Sequence, residues 1–177
     1  MQQDVYWIRE IDPIRLAIMP RPRSGEWLPD EIDEWKRQQI GAVVSLIERH
    51  EEVELGLQTE AALCAQRGIE FVSFPIADRG TPSSVRDVDL LIDGLVTRLR
   101  GNAAVAIHCR AGIGRSGLIA GCVLLRLGMQ QTEIFQVLTR TRGVTVPDTS
   151  GQIEWLNQFA KTRAQASESF EQLFSRE

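Results

Sequence analysis

The sequence predicts an α/β domain in which a mainly parallel central sheet is flanked by helices. Three observations lead there. Short β-prone runs alternate with longer segments of helical period. Two of those runs, Ala42 to Ile47 (apolar but for Ser45) and Ala103 to Ile107, are near-continuously apolar, as strands buried on both faces are. No internal repeat, low-complexity block or linker divides the 177 residues, so a single domain over 1–177 with a sizeable core is expected.

The elements follow in order. Val5 to Ile8 and Arg15 to Met19 are short strands, parted by the turn signal Asp12-Pro13, and should pair near one edge of the sheet. Met19 to Gly25 is a loop broken by proline and glycine, with Arg21 and Arg23 read as solvated in preference to facing an acidic partner. Leu28 to Gln39 has helical period, with Pro29 suited to the first turn and Gly41 as the stop. After the strand at 42–47, Glu48 to Gly56 is charged and is expected to be irregular, with His50 an exposed loop histidine. Thr59 to Arg67 is a helix closed by Gly68, with Cys64 on its packed face. Ile69 to Phe74 is a strand rich in β-prone residues.

Pro75 to Ser83 is a turn-rich loop, and Ser83 or Ser84 caps a helix whose apolar residues run from Val85 to Leu99 at helical spacing. Gly101 ends it. The strand at 103–107 then leads through a glycine-bearing loop into a helix apolar almost all round, expected to be the central buried helix. Gly117 and Gly121 within it would admit a neighbour closely. Gln131 to Arg142 is a further helix stopped by Gly143. Thr149 or Ser150 opens the last one, which Phe170, Leu173 and Phe174 either extend or leave as a frayed tail over 165–177.

Composition narrows the function. A hydrophobic share of 43%, a charged share of 25% and a net charge of −4 fit a globular protein without a nucleic-acid footprint. No apolar run reaches membrane-spanning length, and no basic-then-apolar leader opens the chain. Three widely spaced cysteines suit a reducing cytoplasm better than a disulfide framework. A monomer is expected. His108 and His50 are the only histidines and no ligand spacing surrounds them, so no metal or cofactor is expected.

The chemistry concentrates in His108-Cys109-Arg110-Ala111-Gly112-Ile113-Gly114-Arg115-Ser116. A short glycine-bearing loop closing onto a helix start turns backbone N–H groups toward one point and makes an anion nest. Arg115 adds a planar fork suited to two oxygens of a tetrahedral dianion. Cys109 lies under the same N–H groups and the same helix end, which favour a nucleophilic thiolate. Ser116 can donate a hydrogen bond to the sulfur when it leaves. Phosphoryl transfer onto sulfur followed by hydrolysis is the chemistry this assembles. It needs a proton donor for the leaving group, and Asp78, on the loop after the preceding parallel strand, would open on the same side of the sheet.

These residues fit the signature H-C-x5-R-S/T, and the chain resembles the cysteine-dependent protein phosphatases. The loop Phe74 to Pro82 sharpens the resemblance to the kinase-associated phosphatase group, the cyclin-dependent kinase inhibitor-3-like branch of the dual-specificity phosphatases. The resemblance implies a protein-tyrosine-phosphatase-like fold. It makes Cys109 the nucleophile, Arg115 the phosphate clamp and Asp78 the general acid. The loop residues His108, Arg110, Ala111, Gly112, Ile113 and Gly114 surround the substrate phosphate, with His108 supporting the loop by hydrogen bonding. Gln152 falls where the family has a late glutamine that orients the hydrolytic water. Asp148 departs from the pattern, standing where an earlier glutamine would be.

The implied reaction is hydrolysis of phosphotyrosine, and of phosphoserine and phosphothreonine as further substrates, through a phosphocysteine. The implied partners are a phosphoprotein and a kinase. A phospho-dependent or kinase-docking module with low turnover, and a phosphatase for a non-protein phosphate ester, stay open. The variable loop positions Arg110, Ala111, Ile113 and Gly114 lack the lysines usual for inositide substrates.

Overall fold

The computed structural model describes residues 4–174, with side chains through residue 163. Five strands form one sheet in the order β1-β2-β5-β3-β4. β1 (Tyr6–Trp7) is antiparallel to β2 (Leu16–Pro20) at one edge, and β5 (Ala104–Cys109), β3 (Ile40–Ser45) and β4 (Glu70–Ser73) continue it in parallel. All six residues of β5 are buried, as its apolar run requires for a strand covered on both faces.

Two cores lie on the two faces of this sheet. One packs Trp35 and Ile32 of α1 (Leu28–Arg37) and Cys64 of α3 (Glu60–Gln66) against Val43 and Ala106. The other gathers α4 (Val85–Arg100), α5 (Gly114–Arg126), α6 (Gln131–Arg142) and α7 (Ser150–Phe174) against Val105 and Ile107. The period of two along β5 decides which residue faces which core. α5 is buried from Gly114 through Leu124 and is the central helix, in keeping with its apolar sequence. A Cβ at Gly117 would collide with the Val146 side chain, and one at Gly121 would sit 3.1 Å from Ile134.

Two local expectations change. The 48–56 segment is helical, as α2 (Arg49–Leu55), with Gly56 left-handed at φ 68° as its stop. Its start is concealed because a glutamate, not Ser or Thr, stands before it and forms a capping box, in which the Glu51 carboxylate accepts from the Glu48 N–H at 3.0 Å. His50 is exposed, but on this helix and not in a loop. α1 ends before Gly41, because Gln39 takes the left-handed turn at φ 60° and leaves Gly41 to β3. At the far end the backbone of α7 is helical to Phe174, while the apolar spacing of Phe170, Leu173 and Phe174 lies outside the described side chains. Among the described residues no helix is long and apolar enough to cross a membrane.

Candidate active site

The carboxyl ends of β3, β4 and β5 open on one side of the sheet, and the loops that follow them meet there. A cavity of about 190 Å³ is lined by Asp78, Arg79, Cys109, Arg110, Ala111, Gly114, Arg115 and Asp148. Cys109 is the last residue of β5 and is nearly buried, with its Sγ 3.4 Å from Ser116 Oγ on the first turn of α5. The side-chain hydroxyl is therefore within reach of the sulfur. Gly112 crosses beneath β2 at φ 69°, where a Cβ would meet the Met19 carbonyl carbon and the Pro20 nitrogen at 2.5 Å. Only glycine closes the loop there.

Arg115 is the hub of the site although it is 2% exposed. Its Nη1 donates to Glu51 Oε2 at 2.6 Å, to the Ile76 carbonyl at 2.9 Å and to the Leu46 carbonyl at 3.3 Å. Its Nη2 donates to Glu51 Oε1 at 3.0 Å and to Asp78 Oδ1 at 3.0 Å. One guanidinium thus joins the end of β3, the helix α2, and the loop that carries Asp78. Burial is the largest influence and disfavours its charge, but the Glu51 hydrogen bonds together with the negative charges of Cys109, Glu51 and Asp78 outweigh it, and Arg115 is held above the ordinary guanidinium range. Burial likewise opposes ionisation of Glu51, and the hydrogen bonds from Arg115 and the Glu48 N–H hold it below the ordinary carboxylate range.

The loop after β4 is pinned from both sides. The Phe74 N–H donates to the Ser45 carbonyl at 2.9 Å and the Ile76 N–H to the Leu46 carbonyl at 3.2 Å. From α7, Gln152 Nε2 donates to the Gly80 carbonyl at 3.0 Å and Trp155 Nε1 to the Pro82 carbonyl at 3.1 Å. Between these anchors Arg79 takes a left-handed φ of 56°, uncommon for a side chain of its size, and lifts Asp78 over the cavity.

The family profile described as Swiss Army Knife protein, DSP-PTPase phosphatase domain (PTP-SAK), matches residues 6–173. The chain belongs to this family. Cyclin-dependent kinase inhibitor 3 of Rattus norvegicus is 34% identical over 99 residues, 55% of this chain and 46% of that protein. The Homo sapiens protein of that name gives the same identity and coverage. The match thus spans about half the length of these curated relatives. Among solved structures, a kinase associated phosphatase with serine in place of its catalytic cysteine superposes with a TM-score of 0.84. Its identity is 24%, over 93% of this chain and 97% of that one. Tk-PTP in its active form gives a TM-score of 0.75 at 28% identity, over 91% and 99%.

Within this DSP-PTPase domain, most residues singled out from the sequence meet at one cavity. Cys109, Arg115, Asp78, Arg110, Ala111 and Gly114 line it, and Ser116 sits behind the sulfur. Ile113 and Gly112 complete the loop through their backbone. Gln152 is buried against Gly114, with its amide nitrogen donating to the Gly80 carbonyl and its Oε1 without a hydrogen-bond partner among the described residues. His108 lies elsewhere: as the neighbour of Cys109 in a strand, it faces the other core, with its ring 6.3 Å from Trp35. Its Nε2 comes within 2.9 Å of buried Glu60 Oε1, without the alignment of a hydrogen bond. It reaches the site only through its backbone carbonyl, which accepts from the Leu46 N–H at 3.0 Å. Asp148 stands at the rim with its Oδ2 3.9 Å from Arg79 Nη1, a cation that offsets its charge.

The functional residue absent from the sequence reading is Glu51. Its signal was the pairing of Glu48 with Glu51 three residues on, ahead of Gly56, which marks a helix with one acid turned inward.

Proposed function

We propose that this domain hydrolyses phosphotyrosine in proteins, with phosphoserine and phosphothreonine as further substrates, through a phosphocysteine at Cys109. The observation that carries it is the convergence of Cys109, Arg115 and Asp78 on one cavity. The loop N–H groups and Arg115 hold the phosphate oxygens, and the Cys109 thiolate attacks phosphorus. The S–P bond forms as the bond to the ester oxygen breaks, and Asp78 gives that oxygen its proton. Water then attacks phosphorus, Asp78 takes the water's proton, and the sulfur leaves toward the Ser116 hydroxyl while inorganic phosphate departs.

Cys109 is the cysteine suited to this step. Burial pushes the Cys64 thiol up to about 12 and raises the Cys122 thiol as well. The domain works as a monomer in a reducing, cytoplasmic setting, which keeps all three thiols free. A kinase is the docking partner we propose, supported by relatives that are themselves a cyclin-dependent kinase inhibitor and a kinase associated phosphatase.

Turnover on a phosphopeptide panel with one phosphoinositide included tests the reading. The expected result is release of phosphate from phosphotyrosine peptides, with the phosphoinositide poorer. Turnover of the phosphoinositide alone, or tight phosphopeptide binding without release, would overturn it in favour of a lipid phosphatase or a binding module.

A further inference from the structure

Arg142, the last residue of α6, donates from Nε to the Gly112 carbonyl at 3.1 Å and from Nη2 to the Ala111 carbonyl at 3.1 Å. Its guanidinium carbon lies 4.1 Å from the centre of the Tyr6 ring on β1, within cation–π range. The contacts lead away from the cavity, whose lining does not include Arg142. In a trans peptide the C=O and N–H point in opposite directions. Fixing the Ala111 carbonyl outward therefore turns the Gly112 N–H inward, and fixing the Gly112 carbonyl outward does the same for the Ile113 N–H.

The neighbouring peptides are fixed by backbone bonds. The Arg110 carbonyl accepts from the Arg21 N–H at 3.4 Å, and the Ile113 carbonyl accepts from the Gly117 N–H at 3.2 Å as α5 begins. Four consecutive peptides thus carry outward carbonyls, and the middle two are held only by Arg142 among the described residues. Those two flank Gly112, the residue whose backbone can rotate most freely.

We propose that Arg142 is a positioning residue for the phosphate nest: it sets the two central peptide planes of the loop, and the Tyr6 ring holds its guanidinium in place. The role rests on the phosphatase reading for its catalytic consequence, but not for its binding consequence. An oxyanion site loses strength when a donor is aimed elsewhere, by about 10²–10³ in rate for one lost donor. Partial misalignment of two donors should cost less, on the order of 10- to 100-fold.

The test measures orthovanadate affinity by calorimetry, kcat and KM on an aryl phosphate, and the melting temperature. The proteins are wild type, Arg142→Ala, Arg142→Gln, and the control Arg140→Ala, an exposed neighbour paired with Glu10 at 3.3 Å. Both Arg142 variants should bind orthovanadate roughly 10-fold or more weakly and lose kcat, with the melting temperature little changed and Arg140→Ala like wild type. Wild-type orthovanadate affinity in either folded Arg142 variant overturns the proposal. Should wild type bind orthovanadate but turn over no ester, the phosphatase reading falls while the affinity difference still decides the role of Arg142. If wild type binds no orthovanadate, the nest and this role fall together.

Discussion

Asp78 Oδ1 and Arg115 Nη2 lie 3.0 Å apart, so the carboxylate we propose as acid rests on the guanidinium we propose as phosphate clamp. Both roles draw on one N–H. In the proposed reaction a phosphate oxygen arriving at Nη2 would compete with Asp78, which stands over the cavity at half exposure and would be freed toward the leaving group.

Asp78→Asn separates the two consequences. It should cut kcat by roughly 10²–10⁴-fold for esters with poor leaving groups, and much less for activated ones that need no proton. Removing the competing negative charge should tighten inorganic phosphate binding several-fold at the same time. Plots of kcat against leaving-group pKa, with phosphate inhibition constants, check both. Equal slopes for the two enzymes would take Asp78 out of the mechanism.

Cys109→Ser should abolish turnover and leave phosphate affinity close to wild type, because the loop N–H groups and Arg115 remain. Mass spectrometry after a rapid quench should find a phosphoryl adduct in wild type and none in the variant. Near-normal turnover by the serine protein would rule out the covalent route.

Arg115→Lys keeps a positive charge but cannot span both Glu51 oxygens and a phosphate. A loss in kcat/KM on the order of 10²-fold or more is expected, read from steady-state kinetics. A silent substitution would mean that the phosphate is held elsewhere.

Glu51→Gln tests the buried support. Leaving Arg115 buried beside a neutral partner should destabilise the fold by about 3 kcal/mol at neutral pH. The sign of the pH dependence follows from the carboxyl being held below its ordinary value of 4.5. Such a group stabilises the fold above that value, and the contribution is lost as pH falls through the folded value. Denaturant midpoints should therefore drop for wild type below about pH 4.5 and be flatter for Glu51→Gln over that range.

Gly112→Ala should damage the loop outright. A residue with a Cβ at φ 69° costs roughly 1–2 kcal/mol, before the contact with Met19 and Pro20 is counted. Phosphate affinity and turnover should fall together, measured by calorimetry and kinetics. Wild-type behaviour would show that the loop has room that the packing denies.

The sequence by itself determined the α/β architecture and the nucleophile loop. The largely apolar runs at β3 and β5 suit a sheet covered on both faces, and the glycine-bearing loop between β5 and α5 suits a short turn into a helix. The meeting of Cys109, Arg115 and Ser116 at one loop was legible because it depends on spacing within that loop. Asp78 was legible because strand order puts parallel loops on one side of a sheet.

Tertiary structure alone decided the partners that come from distant segments. Glu51 reaches Arg115 from a helix whose start a glutamate cap concealed, and although the Glu48–Glu51 spacing marks that helix, it does not say which remote arginine its inward acid will meet. Arg142 approaches the loop from the end of α6, which sequence separation hides altogether. His108 was assigned to the loop by the family resemblance, yet a strand turns neighbours to opposite faces, and the ring packs beside Trp35 instead. Periodicity records which face a residue shows; only the packed chain determines what waits on that face.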